Sequence, residues 1–170
     1  MAKKNTRPAG GLTAKYDLGD HPIAKLLGIR LLSADPERIR AEMTITPAHM
    51  NRSGRVAGGI IMAFADVIGA RGTVVNLPPG CRTTTVESKT NFFTAGVGPV
   101  IRADSVPLHI GRTTMVWQTS ISDDNGRRLA IVTQTQIVIP APTKPGPATV
   151  DDKTPRKTSA TQRPKAAEKR

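Results

Sequence analysis

A long apolar run covers residues 58–75, and the other predicted elements are arranged around it. Within this run only Asp66, Arg71 and Thr73 are polar. As a helix, these residues would span roughly 27 Å, and a helix that is apolar nearly all round is a buried one. The length would also suit a membrane span, but the acid, the central Arg and four glycines favour a core helix.

Six segments with strand patterns flank this helix in the sequence. In the clearest, residues 38–46, apolar and polar residues alternate strictly, as in an antiparallel strand with one solvated face. The predicted strands are 29–33, 38–46, 83–93, 100–108, 113–122 and 128–139, which are rich in Thr, Val, Ile or aromatic residues. The element order predicts an α+β fold, with an antiparallel sheet of five or six strands wrapped around one long central helix.

Turn and cap residues mark the connections between these elements. A short helix is predicted over about 22–27, with Asp20 as its possible N-cap and Gly28 near its end. Asn125-Gly126 lies between the last two strands. This dipeptide favours a type I′ hairpin, because both central residues of that turn need positive φ.

A sheet covers only one side of a helix, so a helix that is apolar all round needs a further partner. The simplest partner is a second copy of the chain in a two-fold dimer. The sequence therefore favours a homo-oligomer, most simply a homodimer.

Composition divides the 170-residue chain into one domain and two basic tails. The formal net charge is +12, but the first 15 residues carry four basic and no acidic residues, and the last 31 carry eight basic and three acidic residues. We predict disordered tails over 1–15 and 140–170 and a folded domain over 16–139. The C-terminal tail has no aromatic residue for base stacking. It therefore favours a solubilising role over a weak nucleic-acid or membrane-surface contact.

The single cysteine, Cys81, excludes an intramolecular disulfide and favours a reducing compartment. No apolar segment follows the basic start of the chain, so no signal peptide is predicted. We expect a cytoplasmic protein without a membrane span and without a specific nucleic-acid partner.

Asp66 stands in the middle of the predicted helix without a basic partner on the same helix. Its neighbours three and four residues away are Met62, Ala63, Gly69 and Ala70. An acid on a face of small residues is a candidate for a functional site. The structural alternative is a buried carboxylate that binds backbone groups or an Arg from another element.

Four segments in order resemble the motifs of hotdog-fold acyl-CoA thioesterases. Residues 49–59, HMNRSGRVAGG, match the family's loop H-x-N-x-x-G-x-x-H-G-G, and Asp66 matches its acid seven residues further on. Residues 85–92, TVESKTNF, and 108–112, LHIGR, match two later motifs. Over about residues 20–139 the chain is similar to thioesterases of the phenylacetic-acid-degradation and THEM type, within the 4-hydroxybenzoyl-CoA thioesterase superfamily.

One position departs from the family pattern. The His before Gly-Gly is Ala57 in this chain. In relatives that imidazole helps to position groups around the thioester, so the resemblance implies a site that retains the helix N-terminus and the acid but lacks this side chain.

The resemblance implies hydrolysis of an acyl-CoA thioester at a homodimer interface, with a dimer of dimers as the larger arrangement and with no cofactor and no metal. The N–H of Gly58 would polarise the thioester carbonyl, and Asp66 would act as general base or as nucleophile. Asn51 would bond the attacking water or the thioester region. The other implied substrate-binding residues are Gly59, Thr85, His49, Arg112 and Arg82, and the two arginines are candidates for the coenzyme A phosphates.

Other functions stay open at this point. A non-catalytic acyl-CoA-binding or regulatory protein would fit Ala57 and the basic tails. A hotdog dehydratase or hydratase places its His and acid differently. The chain has no Gly-x-Ser-x-Gly segment, which disfavours a serine-triad thioesterase, and its scattered His and Cys residues do not argue for a metal site.

Overall fold

One six-stranded antiparallel sheet curves around a long helix in the part of the chain that this computed structural model describes, residue 18 and residues 21–141. The elements are α1 Pro22–Leu27, β1 Ile29–Asp35, β2 Arg38–Thr44, α2 Gly58–Asn76, β3 Arg82–Phe92, β4 Val100–Ile110, β5 Thr114–Asp123 and β6 Arg128–Ile139. The strand order is β1-β2-β4-β5-β6-β3, and every neighbouring pair is antiparallel. The predicted α+β fold and its central helix are confirmed. The predicted tails lie outside the described residues, apart from positions 140 and 141.

Two local predictions were wrong in their detail. The N-cap of α1 is His21, whose Nδ1 accepts a hydrogen bond from the N–H of Ala24, and not Asp20. The hairpin between β5 and β6 is present, but its turn is not type I′. Among the described residues only glycines have positive φ, so Gly126 is left-handed at +79° and Asn125 is not. The Asp123 carboxylate accepts from the N–H groups of Asn125 and Arg127, which stabilises this wider turn.

Helix α2 packs one side against the sheet and leaves the other partly open. Ile61, Phe64, Ala65 and Ile68 are buried and recur at the spacing of one helix face. On the other side, Met62 is 41% exposed and Val74 is 43% exposed. By length and composition α2 could cross a membrane, but the core helix of a globular fold meets the same criteria. Here the sheet curves around α2.

A glycine allows the closest contact between α2 and the sheet. The indole ring of the fully buried Trp117, on β5, packs directly on Gly72. A Cβ at position 72 would lie 2.6 Å from two of the ring atoms. Packed interiors do not absorb such an overlap without displacing side chains or backbone.

Arginines on the outer face of the sheet flank two carboxylates. Glu42 lies near Arg30 and Arg102, and Asp104 near Arg38 and Arg40. The hydrogen bond from Arg38 lowers the pKa of the Asp104 carboxyl. These pairs are solvent-exposed, so each contributes little to stability.

We expect Gly72→Ala to lower the free energy of unfolding by about 1–3 kcal/mol, because the new Cβ would overlap the Trp117 ring. Denaturation in urea measures the change. Gly59→Ala is the matched control, since nothing lies within 4 Å of a Cβ at that position. The control should be neutral or gain up to about 1 kcal/mol from the better helix propensity of Ala. Equal losses in both variants would contradict the packing argument.

We expect Asp104→Asn to remove at most about 1 kcal/mol of stability at pH 7. Because the folded state lowers the pKa of Asp104, its contribution is present above the unfolded pKa, about 3.9, and is lost as the pH falls through the folded value. Urea denaturation of both proteins over a pH series measures this. The two stability curves should converge in acid, and a gap that stays constant down to about pH 2 would argue against the ion pair as its source.

Candidate active site

The Asp66 carboxylate is held by one of its two oxygens. Its Oδ1 accepts from the hydroxyl of Thr85 on β3 at 3.0 Å and from the side-chain amide of Gln134 on β6 at 2.5 Å. No described residue donates to Oδ2. Asp66 is half-buried and follows the exposed Met62 by about one helical turn, so it lies on the side of α2 that the sheet leaves partly open.

Behind Asp66, a short chain of hydrogen bonds runs along the edge of the sheet. The Thr85 hydroxyl accepts from the amides of Gln134 and Gln136, at 3.0 and 2.8 Å. The Thr83 hydroxyl lies 3.0 Å from Oε1 of Gln136. Both glutamines are at most 1% exposed. Since a carboxylate only accepts hydrogen bonds, the donors nearest to Asp66 all point towards it.

Neither glutamine is singled out by the sequence. The segment from Ile131 to Ile139 carries apolar residues on both faces of β6, and Thr133 and Thr135 alternate with the glutamines. The period of two therefore does not show which polar residues face α2. Once the structure shows that Val132 and Val138 are buried, the period of two places positions 134 and 136 on the same core side.

The N-terminus of α2 presents unpartnered backbone donors. Ala57 is the N-cap and provides no side-chain hydrogen bond. The N–H groups of Gly58 and Gly59 donate to no described residue, as expected for the first residues of a helix. A cavity of about 280 Å³ adjoins this end and is lined by Val56, Gly58, Ile61, Phe92, Phe93, Thr94, Ala95 and Gly96.

Phe92 also lies at this end, and its contact with Gly58 was not predicted from the sequence. Its Cζ would lie 3.2 Å from a Cβ on Gly58. The ring is 50% exposed, so it forms one wall of the cavity and has room to shift. The absence of a side chain at position 58 keeps the approach to the N–H open.

His49 and Asn51 shape the loop that leads into α2. The buried His49 accepts at Nδ1 from the N–H of Thr46, at 3.2 Å, and its carbonyl accepts from Ala57 at 2.9 Å. Asn51 accepts at Oδ1 from the N–H groups of Ser53 and Arg55, at 2.9 and 3.2 Å. In this structure both side chains hold the loop, while the exposed Asn51 keeps its amide Nδ2 free of described partners.

Arg82 and Arg112 lie at the other end of the sheet. Arg82 begins β3 opposite Ile139, and the neighbour of Arg112, Thr113, accepts from the N–H of Val138. Both arginines are exposed and flank the last residues of β6. The N-terminus of α2 is instead near Phe92, at the far end of β3, so one chain does not place these arginines beside Gly58.

Within one chain, Asp66 and the N-terminus of α2 are also apart. Asp66 follows Gly58 by eight residues, which is about 12 Å along the axis of a helix. The structure therefore brings Asp66 and Thr85 together, and Gly58 and Gly59 together, but does not bring the two groups to one atom.

A second cavity, of about 450 Å³, lies beside the C-terminal half of α2. Its walls are Leu18, His21, Val67, Ala70, Arg71, Val74 and Thr83. Ala70 is one helical turn beyond Asp66, and Thr83 precedes Thr85 by two residues, so both stand on the Asp66 side of their elements. The cavity thus adjoins the Asp66 hydrogen-bond network. In the described part of the chain, no three His, Cys, Asp or Glu residues are grouped to hold a metal ion.

The matches to a family model and to known proteins agree with one another. Residues 53–130 match the family model described as Thioesterase superfamily. A Deinococcus radiodurans protein named "Putative esterase" is 30% identical over 110 residues, which cover 64% of this chain and 73% of the relative. The 1,4-dihydroxy-2-naphthoyl-CoA hydrolase of Listeria monocytogenes is 21% identical over 109 residues, or 64% of this chain and 89% of the relative.

A solved structure shows the same architecture. A mutant of thioesterase PA1618 from Pseudomonas aeruginosa has a TM-score of 0.71 and 25% identity, and the match covers 79% of this chain and 97% of that one. The family match and the helix wrapped by an antiparallel sheet agree with the resemblance found in the sequence. The chain belongs to the thioesterase superfamily and has the hotdog fold.

Proposed function

We propose that this protein hydrolyses an acyl-CoA thioester to the free acid and coenzyme A. The observation that carries the proposal is the Asp66 carboxylate, which is held at Oδ1 while no described residue donates to Oδ2. Membership of the thioesterase superfamily supports hydrolysis of a thioester. The relative from Listeria monocytogenes, a CoA-ester hydrolase by name, supports coenzyme A as the thiol.

The site would be completed by a second copy of the chain. Asp66 and Gly58 are too far apart on one helix to act on one carbonyl group. Two copies of α2 that pack antiparallel would place the Asp66 of one beside the Gly58 of the other. The half-exposed Met62 and Val74 on this side of α2, and the neighbouring edge strand β3, offer the surface for such a dimer.

The chemistry follows from these two ends. The carbonyl oxygen of the thioester accepts from the N–H of Gly58, where the positive end of the helix dipole stabilises the developing oxyanion. As general base, Oδ2 of Asp66 takes a proton from water, the hydroxide attacks the carbonyl carbon, and the C–S bond breaks to release coenzyme A, which takes up the proton. As nucleophile, Oδ2 attacks the carbonyl carbon and the C–S bond breaks, so that coenzyme A leaves as a thiolate and an anhydride forms. Water then hydrolyses the anhydride, which frees the acid and the Asp66 carboxylate, and the proton released goes to the thiolate.

The remaining predicted residues have supporting places in this proposal. The free Nδ2 of Asn51 would donate to the water or the thioester, with Gly59 and His49 keeping the loop and helix end open. Arg82 and Arg112, at the opposite end of the sheet, would reach the phosphates of a coenzyme A held mainly by the other copy. The cavity beside Ala70 and Thr83 would take the acyl group. We place the reaction in the cytoplasm, as the single cysteine suggests.

The first test is a panel of aromatic and medium-chain acyl-CoA esters, with the released thiol measured by a thiol reagent. We expect hydrolysis by the wild type and a loss of at least about 100-fold in kcat for Asp66→Asn, which keeps the shape of the side chain but is neither a general base nor a nucleophilic carboxylate.

Two outcomes of this panel would contradict the proposal. An Asp66→Asn variant that turns over as fast as the wild type would exclude the mechanism. Tight binding of acyl-CoA without turnover by the wild type would favour the alternative, a non-catalytic acyl-CoA-binding or regulatory protein.

A second test removes the Gly58 N–H without removing the helix. Proline is tolerated at the first position of a helix, and the preceding Ala57 has φ −65° and ψ 137°, which suits a residue before proline. Gly58→Ala adds bulk but keeps the N–H. We expect kcat of Gly58→Pro to be about 100- to 1000-fold below that of Gly58→Ala, with similar melting temperatures. Equal kcat values in the two variants would show that the N–H is not used.

A further inference from the structure

The contact of Gln134 with Asp66 leaves a buried polar atom of Gln134 without a hydrogen-bond partner. Its amide Nε2 donates to Oδ1 of Asp66 and to the hydroxyl of Thr85. Its carbonyl Oε1 is buried and has no hydrogen-bond partner in the described part of the chain. A buried acceptor without a partner costs about 1–3 kcal/mol. The reverse orientation would set Oε1 against a carboxylate oxygen, so Asp66 decides which way the amide points.

Gly69 shows a second cost at the same side chain. A Cβ at position 69 would lie 2.2 Å from Oε1 of Gln134 and 3.1 Å from its Cδ. A glycine inside a helix costs about 1 kcal/mol relative to alanine. Both unfavourable features therefore serve the same contact, because each is needed for the Gln134 amide to reach Asp66. Such local departures from favourable chemistry are characteristic of functional sites.

We propose that Gln134 is the positioning residue of the catalytic carboxylate. It fixes Asp66 through Oδ1, so that Oδ2 faces the thioester or the attacking water. This assignment rests on the proposed function of Asp66. Gln134 is 1% exposed and lies behind the carboxylate, so it acts through Asp66 and not on the substrate.

We assign the positioning role to Gln134 and not to Thr85, because the Gln134 amide donates to Asp66 and also to the second donor, Thr85. Thr85 donates to Asp66, but its own hydroxyl is oriented by the amides of Gln134 and Gln136. Thr85 also lies on β3, an edge strand with a neighbour on one side only within the chain. Gln134 lies on β6, which is paired on both sides.

The test begins with Gln134→Met, which has similar volume and no N–H donor. We expect kcat to fall about 10- to 100-fold, the range for a misplaced catalytic group, and KM to stay within about twofold because the side chain does not touch substrate. Gln136→Met is the matched control. It has the same residue type, strand and burial, but its amide donates to Thr85 and not to Asp66, so its kcat should fall less than that of Gln134→Met.

A double-mutant cycle separates positioning from a general structural effect. In the Asp66→Asn background, where no carboxylate remains to be positioned, Gln134→Met should change the residual kcat by less than about twofold. A side chain that only stabilises the fold would give the same fold-loss in both backgrounds, and that result would overturn the proposal.

Gly69→Ala keeps the proposal testable if Gln134→Met does not fold. The added methyl group occupies the space of Oε1 and pushes the amide away while it improves the helix. We expect a fall in kcat of about 10-fold or more and a smaller loss of stability than in Gly72→Ala, because the displaced atom is the end of a side chain and not part of a buried indole ring. An active wild type with unchanged kcat in Gln134→Met, or in Gly69→Ala where only that variant folds, would overturn this assignment alone. A wild type without hydrolase activity would overturn the proposed function, and the assignment with it.

Discussion

Helix α2 lies so close to the sheet that two of its glycines have no room for a Cβ. At Gly72 the space is taken by the indole ring of Trp117, and at Gly69 by the amide of Gln134. The first contact is apolar and fixes the depth of the helix in the sheet. The second is polar, and it lets a side chain from β6 reach around the helix to the carboxylate on its flank. The close approach of α2 thus determines both the packing of the core and the orientation of Asp66.

The price of that arrangement is a set of polar groups inside the core. Gln134 and Gln136 are buried on β6, whose other inward residues are apolar. Burying an amide without partners is costly. Hydrogen bonds to Thr83, Thr85 and Asp66 offset most of that cost. The Oε1 atom of Gln134 has no hydrogen-bond partner in the described part of the chain and faces Gly69, while Nε2 of the same amide donates to Asp66.

Much of this fold could be predicted because short-range patterns in the sequence indicate it. The alternation around Ile39 and Ala41 shows a strand, the apolar run after Gly58 shows a core helix, and the loop motif with Asp66 shows the family. The pairing of Asp66 with Gln134 could not be predicted in the same way. It joins residues 68 positions apart, and their meeting depends on the strand order and on which face of β6 turns inward. The turn at Asn125 was mispredicted for a related reason, since the Asp123 carboxylate stabilises a wider turn than the local dipeptide favours.

One end of the proposed site consists of side-chain groups and the other of backbone N–H groups. This difference determines how much the alanine at position 57 affects the site. The acid end consists of side chains, namely Asp66, Thr85 and Gln134, so substitutions can remove it. The electrophile end consists of backbone N–H groups at Gly58 and Gly59, which no change at position 57 removes. His49 and Asn51 hold the loop before this end through bonds to its backbone, and Ala57 is itself held by the carbonyl of His49. The helix N-terminus is therefore kept in place without an imidazole at position 57. An alanine at position 57 therefore leaves both the oxyanion donors and the anchored carboxylate of the proposed mechanism intact.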